Sequence, residues 1–394
     1  MSNDKRPIVA LVTDAIYPYF RGGKEVRYQE IAQRLAQRAD VYVFTMKWWD
    51  GPWTRHDGLV NFRAISRLRP MYSGERRSYR EACFFALYCF RLFRFHFDAI
   101  EADQFPTFHI FTLRLVTWLK RQPLTVTWHE VWDRAYWNEY LGWAGNVAYL
   151  IQWLAMRVPD HLIAASAETA DRLRKILGER AAISLVPNGI DLEGIRNSHP
   201  DDMRVDLVTV GRLLPHKNVD MLLESVALLH AAGLHVTCRV IGEGPQRAAL
   251  HERSKELGID HAVDFRHDVW EQKDVYSLIK AARVAVFPSA REGFGIAVLE
   301  AIACDVPVVT TSAPDNLARH LVARSTAGVV CEPSAEALAD ALRVLLADPQ
   351  DRDQTAPSLP ATQQAWLSEY GWDFAADEVA RLLGIEMEGA SDVR

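Results

Sequence analysis

Uninterrupted apolar runs alternate with stretches of helical periodicity along most of the chain. Residues 8–13, Ile-Val-Ala-Leu-Val-Thr, form a strand-length run without polar alternation, as in a parallel strand covered on both faces. A glycine loop, Arg21-Gly22-Gly23-Lys24, follows. Val26, Ile31, Ala32 and Leu35 then share one helical face, and 41–45 reads as the next strand. Runs at 99–102, 124–128 and 162–165 predict later strands of the same sheet, each separated by helix-length material. Strand, glycine loop, helix, strand is the opening of a doubly wound sheet.

The pattern restarts after Asn197-Ser198-His199-Pro200-Asp201-Asp202, a polar stretch with linker character. Residues 205–210 predict a strand running into Gly211, followed by a helix over 219–232 and a strand over 236–241. After a glycine turn and a further helix, strands are expected at 263–265, 284–287 and 306–310. The fold class is therefore α/β, with two Rossmann-like doubly wound domains at 1–197 and 203–370 and a last helical segment within 371–394. A length of 394 residues agrees, at ~150 residues per domain. Two such bodies are expected to leave a cleft, because open α/β sheets bind ligands beyond the carboxyl ends of their strands.

Charge sharpens this division. Residues 1–190 hold 26 Lys and Arg against 19 Asp and Glu, whereas 191–394 hold 19 against 32. A nucleic-acid binder would show a stronger basic excess, so no nucleic-acid partner is expected. Cys83, Cys89, Cys238, Cys304 and Cys331 are odd in number, scattered and free of C-x-x-C pairs, which predicts a reducing compartment. The first apolar run is too short for a signal peptide. The longest apolar runs, Ala82 to Phe90 among them, are of about ten residues and span no bilayer. The expectation is a cytoplasmic protein.

Candidate chemistry is concentrated in the second half. Residues 287–301 read Phe-Pro-Ser-Ala-Arg-Glu-Gly-Phe-Gly-Ile-Ala-Val-Leu-Glu-Ala, a strand end, a tight glycine loop and a helix start near Ile296. Backbone N–H groups at such a start favour an anion. Glu292 lies in the loop and Glu300 in the helix, and carboxylates suit the vicinal hydroxyls of a ribose or hexose. Arg212 and Lys217 follow the first strand of the second domain, at the ligand-binding edge, where together they would neutralise a diphosphate. Taken singly, each glutamate reads as a solvated loop or helix residue and each cation as a surface charge.

Taken together, Gly211-Arg212-Leu213-Leu214-Pro215-His216-Lys217, Ile241-Gly242-Glu243-Gly244-Pro245 and the E-x7-E of Glu292 and Glu300 resemble the retaining glycosyltransferases of family 4, which have the GT-B fold. Val186-Pro187-Asn188-Gly189-Ile190-Asp191 and Gly22-Gly23 extend the resemblance over nearly the whole chain. The resemblance implies that Arg212 and Lys217 hold the donor diphosphate and stabilise the leaving group. It implies that Gly293, Phe294, Gly295 and Ile296 approach sugar and phosphates through their backbone. Glu292 then grips donor-sugar hydroxyls and Glu300 the ribose. His129, at the end of a first-domain strand, falls near the reacting sugar, and Gly23 lies near the phosphates or the acceptor. The 1–197 domain would bind the acceptor and 203–370 the nucleotide sugar, while the helix in 371–394 crosses back to the first domain. No cofactor beyond that co-substrate and no metal are expected; Asp351-Arg352-Asp353 resembles a metal motif but lies in a polar loop sequence. His267 stands where the family commonly has a glycine near the nucleobase, so uridine and guanosine both remain open.

On the acceptor side, eight arginines between 63 and 94 meet only Glu75 and Glu81, around the aromatic run 82–90. This region reads either as a core helix with a basic rim or as a peripheral contact to the inner face of the cytoplasmic membrane. Trp128, Trp132, Tyr136, Trp137, Tyr140 and Trp143 form a second aromatic group, suited to stacking on sugar rings or to packing. The function implied is transfer of a hexose-type sugar to a hydroxyl of a glycan, glycolipid or lipid-linked acceptor, in cell-surface polysaccharide or glycoconjugate synthesis. The alternative is a nucleotide-sugar epimerase of the same fold.

Overall fold

The computed structural model describes residues 6–20, 22–73, 76–269, 271–326, 328–347 and 360–385. The Asp351-Arg352-Asp353 stretch lies outside the described residues. The chain divides into two compact units, one of residues 1–189 and 372–394 and one of residues 190–371.

The first unit is built on an eight-stranded sheet. Ile183–Leu185, His161–Ala164, Thr125–Trp128 and Ala99–Asp103 run to one side of Ile8–Val12, and Asp40–Lys47, Val60–Arg67 and Thr54–Asp57 to the other. All neighbours are parallel except the last pair. The apolar run at 8–12 is central and almost wholly buried, as its lack of polar alternation requires. Helices Tyr79–Tyr88, Phe108–Lys120 and Ala167–Leu177 cover one face, with Phe85, Leu113 and Leu173 in the shared core. Gly23–Leu35 and Trp372–Leu382 cover the other, with Ile31, Trp372 and Val379 in theirs.

The C-terminal helix Trp372–Leu382 is held to the first unit by charge as well as packing. Arg34 pairs with Asp373 and Arg38 with Asp377, each at 2.6 Å. The Val186-Pro187-Asn188-Gly189 motif closes the unit: the buried Arg27 donates to Pro187 O at 2.9 Å and to Asn188 Oδ1 at 3.1 Å. A Cβ on Gly189 would lie 2.5 Å from the Trp372 ring.

The second unit carries a six-stranded parallel sheet in the order Val263–Arg266, Cys238–Ile241, Val205–Val210, Ala282–Phe287, Val308–Thr311, Gly328–Cys331. The division between units falls after Gly189, not in the polar stretch at 197–202. Helix Leu192–Asn197 belongs to the second unit because Ile190 and Ile195 sit in its core. The polar stretch is fastened there too, with Asp201 N donating to Ser277 O at 3.0 Å and Lys280 Nζ to Ser198 O at 2.8 Å.

Candidate active site

Among its parallel strands each sheet reverses its order once, and there the carboxyl ends of two neighbouring strands open a crevice. In the second unit the reversal lies between Val205–Val210 and Ala282–Phe287, and the loops leaving these strands carry Arg212, Lys217 and Glu292. Lys217 Nζ forms a close ion pair with Glu292 Oε1, and Ser289 Oγ addresses the same oxygen at 3.3 Å. Arg212 is exposed on the same loop.

The loop that presents Glu292 is clamped from several sides. Ala290 N donates to His216 O at 2.8 Å, Asn218 Nδ2 to Pro288 O at 3.2 Å, and Thr311 Oγ1 to Ser289 O at 2.9 Å. Glu292 O accepts from Leu317 N at 2.9 Å. Such fixing keeps the charged pair in one geometry before any ligand arrives. Gly295 then turns the chain into helix Ile296–Ala303 with φ of +91°, and no side chain caps that helix start. The Phe294 side chain is not at the surface; it is buried in the core, its ring 5.9 Å from Tyr370, so only its backbone faces the loop side.

The two glutamates of the E-x7-E spacing occupy different surroundings. Glu300 is buried, and its Oε1 accepts from Gln272 Nε2 at 2.8 Å and Tyr276 OH at 3.2 Å. Burial pushes its carboxyl up to about 8, with the Asp191 charge adding to the rise. The glycines of Ile241-Gly242-Glu243-Gly244-Pro245 have a structural role: they let two loops touch. A Cβ on Gly242 would lie 1.9 Å from Gly211 O, and one on Gly244 would lie 2.5 Å from Leu213 O.

The first unit has a matching crevice at the ends of Ile8–Val12 and Ala99–Asp103, and it holds more chemistry than the motifs indicate. Lys24 Nζ lies 2.7 Å from both Asp14 and Asp103, and Arg77 forms a close ion pair with Asp14. His129 Nε2 is 3.5 Å from Asp103 Oδ1, and Gln104 Oε1 accepts from the backbone N–H of His129 at 2.8 Å. Burial alone would raise the Asp103 carboxyl, but Lys24 and His129 outweigh it and hold it well below the usual range. Gly23 is exposed as the first residue of helix Gly23–Leu35, with Gly22 as its cap. Asp14, Lys24, Arg77 and Asp103 were not singled out from the sequence. The available signal was a charged residue directly after an apolar strand, at Asp14, Asp103 and His129 alike.

The second aromatic group divides. Trp132 is 4.8 Å from both Tyr136 and Trp137 and 6.3 Å from Tyr140, a cluster at the start of helix Arg134–Leu141. Trp128 instead is wholly buried at the end of strand Thr125–Trp128, and Trp143 is exposed. No group of three metal-ligating side chains is assembled among the described residues.

Comparisons with known proteins agree with this architecture. The model of Glycosyltransferase Family 4 matches residues 21–193, and that of Glycosyl transferases group 1 matches 193–358. A glycogen synthase of Mycobacterium tuberculosis is 30% identical over 234 residues, which is 58% of this chain and 55% of that protein. A GDP-mannose-dependent alpha-(1-6)-phosphatidylinositol dimannoside mannosyltransferase of the same species is 32% identical over 174 residues, 42% of this chain and 44% of that one. The chain thus spans about half the length of the curated relatives it matches. The structure of sucrose-phosphate synthase from Thermosynechococcus elongatus superposes with a TM-score of 0.77 at 19% identity, covering 96% of this chain and 98% of that one. The fold is GT-B. The family 4 match falls almost wholly in the first unit and the group 1 match in the second.

Proposed function

We propose that the chain is a retaining, metal-independent hexosyltransferase. It moves a hexose-type sugar from a nucleoside-diphosphate sugar to a hydroxyl of a glycan, glycolipid or lipid-linked acceptor, on the cytoplasmic side, in cell-surface polysaccharide or glycoconjugate synthesis. The observation that carries this reading is the Lys217–Glu292 pair, clamped at the reversal point of the second sheet beside an uncapped helix start.

Lys217 has three N–H donors, and one ion pair leaves others for phosphate oxygens. With Arg212 and the N–H groups from Gly293 to Ile296 it balances the diphosphate and the charge that grows there as the anomeric C–O bond breaks. The acceptor oxygen forms its bond to that carbon on the face the phosphate leaves, and its proton passes to the leaving phosphate oxygen. Lys217 and Ser289 both address Oε1 of Glu292, which leaves Oε2 for donor-sugar hydroxyls. Gln272 and Tyr276 fix Oε1 of Glu300 in the same way and leave Oε2 for the ribose. In the first unit His129, beside Asp103, is assigned to the reacting sugar and Gly23 to the phosphates or the acceptor.

Lys217→Ala and Glu292→Ala are each expected to lower turnover by ~10²-fold or more with the fold intact, checked by nucleoside-diphosphate release and circular dichroism. Near-normal transfer by both variants contradicts the assignment. Epimerisation of a nucleotide sugar without any acceptor would replace it by the epimerase reading.

A further inference from the structure

The first unit turns an unusual surface outward. Helix Tyr79–Tyr88, continued by the 3-10 turn Cys89–Arg94, buries Ala82, Phe85 and Leu92 against the sheet, as a core helix should. Its opposite side is apolar as well. Phe84, Leu87, Phe90 and Phe93 recur every third residue and all are exposed, Leu87 at 61%. Helix Phe108–Lys120 repeats the pattern with Leu115, Trp118 and Leu119, and Trp118 is 66% exposed. Helix Gly145–Ala155 does so again with Val147, Leu150 and Leu154.

These helices are neighbours: Phe108–Lys120 packs against both of the others. Three exposed apolar stripes at helical spacing on adjacent helices make one face, far beyond the scattered apolar residues of an ordinary surface. The sequence hinted only at the 63–94 part of it, because the stripes of the other two helices look like core from periodicity alone.

Charge says what covers this face. The three helices and the turn contain Arg80, Arg91, Arg94, Arg114 and Lys120 against a single carboxylate, Glu81, which is buried. Several cations stand over the aromatic rings: Arg69 lies 4.2 Å from the centre of Phe84, Arg91 lies 4.7 Å from Tyr88, and Lys120 lies 5.7 Å from Phe93. Between Trp118 and Arg121 a concavity of about 630 Å³ is lined by Arg114, Leu119 and Asp160. Aromatic and aliphatic side chains that enter the acyl boundary, rimmed by cations at headgroup level, fit an anionic lipid surface. No helix among the described residues is long and apolar enough to cross a membrane, so the contact lies in the plane of the interface.

We infer that the outward face of helices Tyr79–Tyr88, Phe108–Lys120 and Gly145–Ala155 docks the first unit on an anionic lipid bilayer. This goes beyond the transferase reading and does not depend on it. It uses no residue assigned to the donor, and Trp143, 85% exposed between the aromatic cluster and the third stripe, carries the apolar face on toward that cluster.

The test is flotation of the full chain with vesicles of phosphatidylcholine alone or of phosphatidylcholine mixed with anionic phosphatidylglycerol, whose negative surface attracts basic segments. The chain is expected to float with the anionic vesicles at least tenfold better, and raised salt is expected to weaken binding. Two variants divide the surface: Leu87→Ser with Trp118→Ser and Leu150→Ser, and Arg80→Glu with Arg94→Glu. Each is expected to lose at least tenfold in vesicle binding while a thermal-shift response to UDP or GDP stays as in the unchanged chain. No flotation with anionic vesicles at low salt, or flotation that neither variant lowers, overturns the inference. So does a solution dimer dissolved by the apolar variant, which would show that a second copy covers the face. Loss of the nucleotide response in the unchanged chain would count against the transferase reading alone.

Discussion

Glu300 shows how far a motif residue departs from its sequence reading once its neighbours are known. The spacing marks it as a carboxylate, whereas burial holds it protonated up to about pH 8. Its folded-state pKa lies above the ordinary value of ~4.3, so the native state binds the proton more tightly than the unfolded chain. The stability this contributes is complete below that ordinary value and is lost as pH rises toward about 8. Glu300→Gln removes the titration, so melting curves are expected to show a steeper fall between pH 5 and 8 in the unchanged chain, by up to ~1.4 kcal/mol per pH unit. Equal slopes would contradict it. Lys217 and Glu292 stand out only when the loop motifs after two strands are read together, since each alone reads as a surface charge. Asp14, Lys24, Arg77 and Asp103 were not, because their pairing joins four separate segments and leaves no local pattern.

Strands and helices were readable where their pattern is strong and hidden where neighbours supply the order. The central apolar runs of both sheets stand out in the sequence. Val60–Arg67 was missed because arginine, serine and asparagine interrupt it, although it pairs from Asn61 to Arg67 with Tyr42 to Lys47, with one register shift between Thr45 and Met46. Ile183–Leu185 and Gly328–Cys331 are short strands at sheet edges, with little apolar run to see. Close loop contacts dictate glycine at 242, where φ is +147° and a Cβ would meet Gly211 O. Gly242→Ala is expected to cost about 3 kcal/mol or more, read as a fall in Tm on the order of 10 °C. The C-terminal helix is fixed mainly by Trp372, buried above Gly189. Trp372→Ala is expected to destabilise the first unit by ~3–5 kcal/mol, measured by denaturant unfolding, whereas Asp377→Ala, which removes a half-exposed ion pair, is expected to cost under ~1 kcal/mol.

At the scale of the whole molecule, the charge asymmetry along the chain acquires a location. The acidic half contains the second unit, where the proposed donor diphosphate would be met by a local group of Arg212, Lys217 and a helix start. Part of the basic excess of the other half lies on helices Tyr79–Tyr88 and Phe108–Lys120 and the turn Cys89–Arg94 of the first unit, beside exposed aromatic rings. Fold class and the two-part organisation followed from apolar periodicity; the place where the parts divide did not, because the polar stretch at 197–202 looks like a linker and is bound into the second unit. The central claim is sugar transfer with retention from a nucleoside-diphosphate donor. Its most direct test is proton NMR of the chain incubated with UDP-glucose or GDP-mannose, with water as the default acceptor, followed from the first turnovers. The account predicts release of the nucleoside diphosphate with the hexose appearing first as its α-anomer, and loss of that signal in Lys217→Ala. First appearance of the β-anomer, or an epimerised sugar still joined to its diphosphate, would contradict it.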